Sequence, residues 1–323
     1  MIMEAIANTA TEALQAQAFD TDAVTAAFLA QLDCKDSSRA LYCRALRQFF
    51  AWIRRTGRQL NAMQKADILA YRDGIISGAA MPDGKRRSSL TAASYLTAVK
   101  LFYTWLESEK VYPNIAASVK APKRLHKFNR EPLSMEQARA MIADSRQSGS
   151  LRDAAIVSLL LHAGLRTVEG VRANVEDLAM KCGTPVLYVQ GKGHTDKDNF
   201  VALSGSCMAA IVAYLDTRTD KEPAAPLFAC TGNNNRGGRL TTRTISHIAK
   251  EHLQAIGLDG REYTAHSLRH TYACARLQQT GDYHEVQMEM RHASPATTAM
   301  YTYHIEEQRR IEAAKRYNID ELY

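Results

Sequence analysis

His266-Ser-Leu-Arg269-His270-Thr271, with His292-Ala-Ser294-Pro295 and Tyr301 further on, is the stretch whose reading decides the fold. The first hexad opens a helix that ends before Gly281. His266 and Arg269, at i and i+3, then point to one side and can jointly hold two oxygens of one phosphate. His266 and His270, at i and i+4, also have the spacing of a metal-binding pair. Against that reading, the glutamate of H-E-x-x-H is missing and no downstream carboxylate has ligand spacing. In the second segment Ser294 suits an N-cap and Pro295 the first helical position. The helix they start is roughly 9 to 10 Å long at about 1.5 Å per residue, so His292 and Tyr301 can face one cavity without touching. Taken alone, a tyrosine there is usually a packed core aromatic.

Upstream, Ala163-Gly-Leu-Arg166-Thr-Val-Glu169 places an arginine just after a helix over Asp153 to His162 that Gly164 ends, and just before Thr167, a candidate N-cap for the next helix. A guanidinium beside unpaired backbone N–H groups is an anion site, and Glu169 is within reach to orient it. An Arg–Glu pair at a helix junction is the bland alternative. Val186 to Gln190 and Phe200 to Leu203 read as two short strands of a β-hairpin whose long polar tip carries Gly191-Lys192-Gly193. Lys192 is not a Walker lysine, because the frame G-x-x-x-x-G-K-[ST] is absent.

The front of the chain is helical and basic. Val24, Phe28, Leu29 and Leu32 share one face, and Leu41, Ala45, Leu46, Phe49, Phe50 and Ile53 form a longer stripe ending at Gly57. Arg39, Arg44, Arg47, Arg54 and Arg55 lie largely off that stripe, either as a solvated face or as a surface against a DNA backbone. Then come Ala66 to Ser77, a turn at Met81-Pro82-Asp83-Gly84, the cations Lys85, Arg86 and Arg87, and a helix with Tyr95, Leu96, Val99, Phe102, Tyr103 and Leu106 on its apolar face. Three cations before a Ser-capped helix favour phosphate through both charge and free N–H groups. Residues 1 to 125 hold 17 Lys and Arg against 11 Asp and Glu, whereas residues 126 to 323 hold 24 against 23. The excess cation therefore sits in front, which suits a polyanion partner.

Between the halves, Lys120 to Pro132 has two prolines, five cations and almost no apolar periodicity, the composition of a linker. With 323 residues and 46% hydrophobic content the chain has ample material for two packed cores. No apolar run approaches the roughly 20 residues of a membrane span, and the first ten residues lack the basic start of a signal peptide. The six cysteines contain no C-x-x-C pair, so neither a zinc knuckle nor a disulfide framework is written here, and a reducing cytosol is the simplest location.

The order and spacing of Ala163-Gly-Leu-Arg166-Thr-Val-Glu169, Gly191-Lys192-Gly193, His266-Ser-Leu-Arg269-His270-Thr, and His292-Ala-Ser with Tyr301 nine residues on resemble the tyrosine recombinase family, the phage integrases and Xer-like enzymes. The resemblance covers nearly the whole chain. It implies a mainly α fold: an N-terminal extension over 1–20, a helical core-binding domain over 21–118, a linker over 119–131, a mixed α/β, mostly helical catalytic domain with a small hairpin or sheet over 132–303, and a tail helix over 304–323 that docks on a neighbouring protomer or packs in cis. It implies that Arg166 and Arg269 clamp the scissile phosphate and that His266 hydrogen-bonds it and assists proton transfer. Lys192 protonates the leaving 5′-oxygen, His292 supports the phosphate, Glu169 buttresses the pocket, and Tyr301 attacks to form a 3′-phosphotyrosine. No metal, ATP or other cofactor is then needed.

The implied partner is double-stranded DNA with an inverted-repeat core site, bound by dimers that assemble into tetramers, with Lys85, Arg86, Arg87, Arg39, Arg44, Arg47, Thr91 and Arg243 as DNA contacts. Type IB topoisomerase-like relaxation and a DNA-binding regulator with a relic site are the alternatives. Two features depart from the family pattern. Arg291 stands where glycine is common, adding a cation or changing the turn. The hairpin tip lacks the usual following arginine, which leaves Lys197 as a minor candidate for the acid.

Overall fold

The computed structural model describes residues 20–123, 130–191, 196–291, 305–306, 310–311 and 313–314. The chain divides into two compact units, Met1–Lys127 and Phe128–Tyr323.

The first unit is built from α1 (Thr21–Gln31), α2 (Asp36–Arg55), α3 (Lys65–Ser77) and α4 (Ser89–Ser108). Asp20 starts α1 by accepting from the N–H groups of Asp22 and Ala23, and Ser88 starts α4 by accepting from that of Thr91. Helix α2 packs on α1 and α4, and α3 on α4. The apolar stripes meet as a ring-rich core. Phe28 sits edge-on to Phe102 at 5.7 Å, and Phe49 to Tyr71 at 4.9 Å, geometries that add to the area burial. Gly78 ends α3 at φ +97, and a Cβ there would lie 2.2 Å from the Gly84 carbonyl oxygen, so only glycine lets the Met81–Gly84 turn fold back on the helix. Val119, in the sequence-assigned linker, is 1% exposed in this core, and the Lys120 carbonyl accepts from Arg72. An apolar side chain next to Ala116 finds more to pack against than the Pro- and Lys-rich composition suggests.

The second unit centres on α6 (Leu151–Ala163), in which every residue from Ala154 to Leu161 is buried. A helix apolar all round needs neighbours all round, and they are α5 (Met135–Gln147), α8 (Gly205–Asp216), α9 (Thr242–Ala255) and α10 (Ala265–Thr280). Ser134 and Gln137 form the capping box that starts α5. Beyond α6 come the short α7 (Thr167–Arg172) and an antiparallel sheet of β1 (Leu178–Lys181), β2 (Thr184–Val189) and β3 (Asn199–Ala202), in that order, with Leu187 opposite both Leu178 and Val201. The hairpin expected from sequence thus gains a third strand. It was hidden because β1 has four residues and turns through Cys182-Gly183, both at positive φ (+49 and +77), where asparagine or aspartate is the usual signal. Helix α11 (Tyr283–Glu289) follows α10. Ile305, at the head of the tail, is buried with Ala273, Cys274, Val286 and Met290 of the same chain. Among the described residues no helix is long and apolar enough to cross a membrane.

Candidate active site

The junction between α6 and α7 sets the first arginine. Gly164 closes α6 at φ +55, and a Cβ there would meet the Tyr272 ring at 2.5 Å, so this position needs glycine for its backbone and for its lack of a side chain. Leu165 anchors the turn in the core at 1% exposure, which leaves Arg166 at the mouth of α7. The N-cap is Arg166 and not Thr167 as the sequence suggested. The Glu169 carboxylate reaches back with Oε2 to accept from the Arg166 N–H at 2.8 Å, so no threonine hydroxyl is required to cap the helix. Glu169 Oε1 accepts from Arg166 Nη1, also at 2.8 Å.

Helix α10 brings the second arginine to the same carboxylate. Arg269 is 1% exposed and donates to the carbonyls of Gly164 and Met290, and its Nη1 lies 4.0 Å from Glu169 Oε2. Three consecutive chemical features therefore meet at Gly164: the end of α6, the approach of α10 and the start of the Arg166 turn. His266, one turn earlier on α10, is solvent-accessible, with its ring edge-on to that of His270 at 4.7 Å. Close packing by protein atoms lowers its pKa, and the guanidiniums of Arg269, Arg166 and Arg130 lower it further. The imidazole therefore favours its neutral form, which can accept a proton. Arg130 is a contributor that sequence reading passed over. It lies in the stretch read as linker, where nothing but its charge marks it.

A third guanidinium completes the cluster. Arg291 adopts φ +52 and donates from Nη2 to Glu169 Oε2 at 2.8 Å and from Nη1 to the Glu289 carbonyl at 2.7 Å. Its own carbonyl accepts from Arg166 Nη2 at 3.4 Å. Of the two alternatives raised by its departure from glycine, the added cation is seen, held against a carboxylate, whereas φ +52 is a conformation that glycine also adopts. Burial alone would push the Glu169 carboxyl up. Arg291, the Arg166 N–H, Arg269 and the Arg166 guanidinium outweigh it, so the group titrates below the ordinary glutamate range.

Lys192, His292 and Tyr301 lie outside the described residues, as does Tyr303, a second phenol whose spacing from His292 does not match the family pattern. Lys197, the minor candidate for the acid, is paired at 2.5 Å with Asp177, which is 6% exposed. Among the described residues no three His, Cys, Asp or Glu side chains cluster as metal ligands.

The residues expected at a DNA surface are not equivalent. Arg39 is turned inward and donates to the Leu29 and Leu32 carbonyls at 2.7 and 3.1 Å, closing the end of α1. Arg44 is exposed, and Arg47 is exposed with Asp22 3.9 Å away. Lys85 and Arg86 are exposed, whereas Arg87 pairs with Asp83 at 2.8 Å. The Thr91 hydroxyl joins the Ser88 cap at 3.0 Å, and Arg243 is exposed in the first turn of α9.

Residues 131–308 match the phage integrase family. The chain is 32% identical over 267 residues to tyrosine recombinase XerC of Pelobacter propionicus, covering 82% of this chain and 83% of that one. It is 26% identical over 274 residues to tyrosine recombinase XerD of Vibrio cholerae, covering 83% and 86%. In fold it is similar to XerH recombinase bound to a palindromic difH substrate (TM-score 0.71, 19% identity, 92% of this chain and 85% of that one). It is likewise similar to a lambda integrase dimer bound to a COC′ core site (TM-score 0.64, 17% identity, 84% and 73%).

Proposed function

The chain belongs to the phage integrase family and is a tyrosine recombinase, an enzyme of DNA strand cleavage and rejoining; from that premise we propose the division of labour at its site. Arg166 and Arg269 hold the non-bridging oxygens of one DNA phosphate, His266 hydrogen-bonds it and relays a proton, and His292 supports it. Tyr301 attacks phosphorus, the P–O bond to the 5′-oxygen breaks, and Lys192 delivers the proton that this oxygen needs to leave. The product is a 3′-phosphotyrosine and a free 5′-hydroxyl, and attack by another 5′-hydroxyl reverses the chemistry on a new strand. One phosphodiester replaces another of similar energy, so the exchange needs no nucleotide.

The observation that carries this reading is the convergence of Arg166 and Arg269, from segments over a hundred residues apart, on the Gly164–Glu169 junction, with His266 in the field of both. Cations gathered there answer the main physical obstacle. A tyrosine of pKa about 10 is only ~0.1% ionised at neutral pH, so forming phenolate costs about 4 kcal/mol. Positive charge and a neutral imidazole lower that cost and offset the anion–anion approach.

The DNA is a duplex core site of inverted repeats, gripped by dimers that pair into tetramers. The solved relatives bound to a palindromic substrate and, in lambda integrase, as a tetramer on a Holliday junction support this assembly. The enzyme works in the cytoplasm of a prokaryotic-type cell, associated with its DNA. A nicked suicide duplex carrying the target tests the chemistry. Tyr301→Phe abolishes the covalent adduct seen on denaturing gels and Tyr303→Phe does not; the reverse result reassigns the nucleophile.

A further inference from the structure

The turn after α11 carries a side chain to which the roles above assign nothing. Arg291 holds a left-handed backbone conformation that disfavours any residue with a Cβ, and strain of that kind persists only where surrounding contacts over-determine it. The contacts are specific. Arg291 takes Oε2 of Glu169 while Arg166 takes Oε1, and its second terminal nitrogen is fixed on the Glu289 carbonyl. Its side chain is 7% exposed, and its Nε is buried with no acceptor among the described residues. An incompletely satisfied buried guanidinium is a poor way to gain stability, because an apolar side chain would fill the same space without the desolvation cost. In sequence, Arg291 is one peptide away from His292.

We propose that Arg291 is a positioning residue for strand cleavage, occupying one oxygen of Glu169 so that Arg166 and Arg269 stay directed at the DNA phosphate, and fixing the peptide that leads into His292. Without it, Oε2 keeps the Arg166 N–H and faces Arg269 at 4.0 Å. A carboxylate stripped of one partner then competes with the phosphate for the two remaining guanidiniums. This rests on the reading that those two arginines clamp the scissile phosphate. The charged groups facing Glu169 are Arg166 at the start of its own helix, Arg269 from α10 and Arg291 from the turn, and the Arg291 charge is the largest single influence holding the carboxyl down.

Arg291→Gly tests the idea without endangering the turn, since glycine adopts φ +52 freely. Arg291→Lys keeps the charge but cannot span Glu169 and the Glu289 carbonyl with one ammonium. Adduct formation is measured in single turnover on the suicide duplex across pH, with DNA affinity and thermal melting in parallel. Arg291→Gly slows adduct formation about 100-fold with affinity changed less than about threefold. The loss shrinks toward acid pH, as the less restrained Glu169 protonates and stops competing for the two guanidiniums, and Arg291→Lys falls between. In a Glu169→Gln background the glycine change adds little, because both substitutions remove the same coupling.

A parent-like rate in Arg291→Gly, equal losses of rate and affinity, or additive losses with Glu169→Gln overturns the proposal. So does a lowered melting temperature with an unchanged rate per folded molecule. Tyr301→Phe, run alongside, separates the layers: an adduct that survives it overturns the site reading itself, whereas a parent-like Arg291→Gly beside a dead Tyr301→Phe overturns this inference alone.

Discussion

The two units bury opposite kinds of side chain at their centres. In the first, Phe28, Phe49, Tyr71, Phe102 and Tyr103 are fully buried and its described cations lie at the surface or close helix ends. In the second, beside an aliphatic core around α6, Glu169 is fully buried and Arg269 is 1% exposed. Ring packing at the centre of the first carries no charge near neutral pH and tolerates exchange of one apolar group for another of similar size. A buried carboxylate among guanidiniums is stable only while every charge is present, and it places those charges where an anion can be handled. The difference separates a unit selected for shape from one selected for chemistry.

Removing one member from each centre gives the largest effects. Glu169→Ala leaves buried cations without their shared counter-charge and should cost the second unit about 3 to 5 kcal/mol. Phe102→Ala should cost the first a similar amount, about 3 to 5 kcal/mol. Hydrogen exchange on the full chain localises each loss, and a Glu169→Ala effect spread evenly over both units would break the contrast.

Acid should then tell them apart. The Glu169 carboxyl titrates below its unfolded value, so its contribution is complete above the ordinary glutamate range and disappears as the pH falls through the depressed folded value. His266 titrates below its unfolded value too, so the unfolded chain takes up its proton first, and that loss of stability begins as the pH drops below about 6.5. The second unit should lose amide protection on acidification before the first, and Glu169→Gln should flatten the lower limb. Simultaneous loss would remove these groups as the cause.

Surface charge gives the next effect. Neutralising Lys85, Arg86 and Arg87 together should reduce the slope of log affinity for DNA against log salt by about 2 to 3, with Arg87 contributing least because Asp83 already partners it. An unchanged slope excludes them from the interface. The smallest effect separates Arg39 from Arg44. Arg39→Gln removes the closure of α1 and should cost about 1 kcal/mol in urea unfolding with the salt slope intact, whereas Arg44→Gln should lower the slope and leave stability unchanged within about 0.5 kcal/mol.

What the sequence disclosed follows the range of the interactions. The stripes on α2 and α4, the Ser134–Gln137 capping box and the stop at Gly164 depend on neighbours within a few residues, and each is legible in a linear string. The pairing of Arg166 with Glu169 is also local, three residues apart. The bonds of Arg39 are not legible locally, because its acceptors are carbonyls at the end of the preceding helix. The bond from Arg291 to Glu169 spans 122 residues, and no local pattern encodes it. Only a departure from the family's glycine marked that position. Strand β1 escaped because four residues carry too little alternation to separate from loop, and a cysteine stood in its turn.

Gly164 and Tyr272 share a single volume, since the phenol ring fills the space that any side chain at 164 would claim. Natural variation at these two sites is therefore expected to be correlated. A descendant that acquires alanine at 164 first must push a core ring aside next to the arginine pocket, whereas one that first exchanges Tyr272 for a smaller residue opens the route, still against an unfavourable backbone. Such an ordering makes the pair an evolutionary ratchet, and a library randomised at both codons together should recover active combinations that neither single-site library contains.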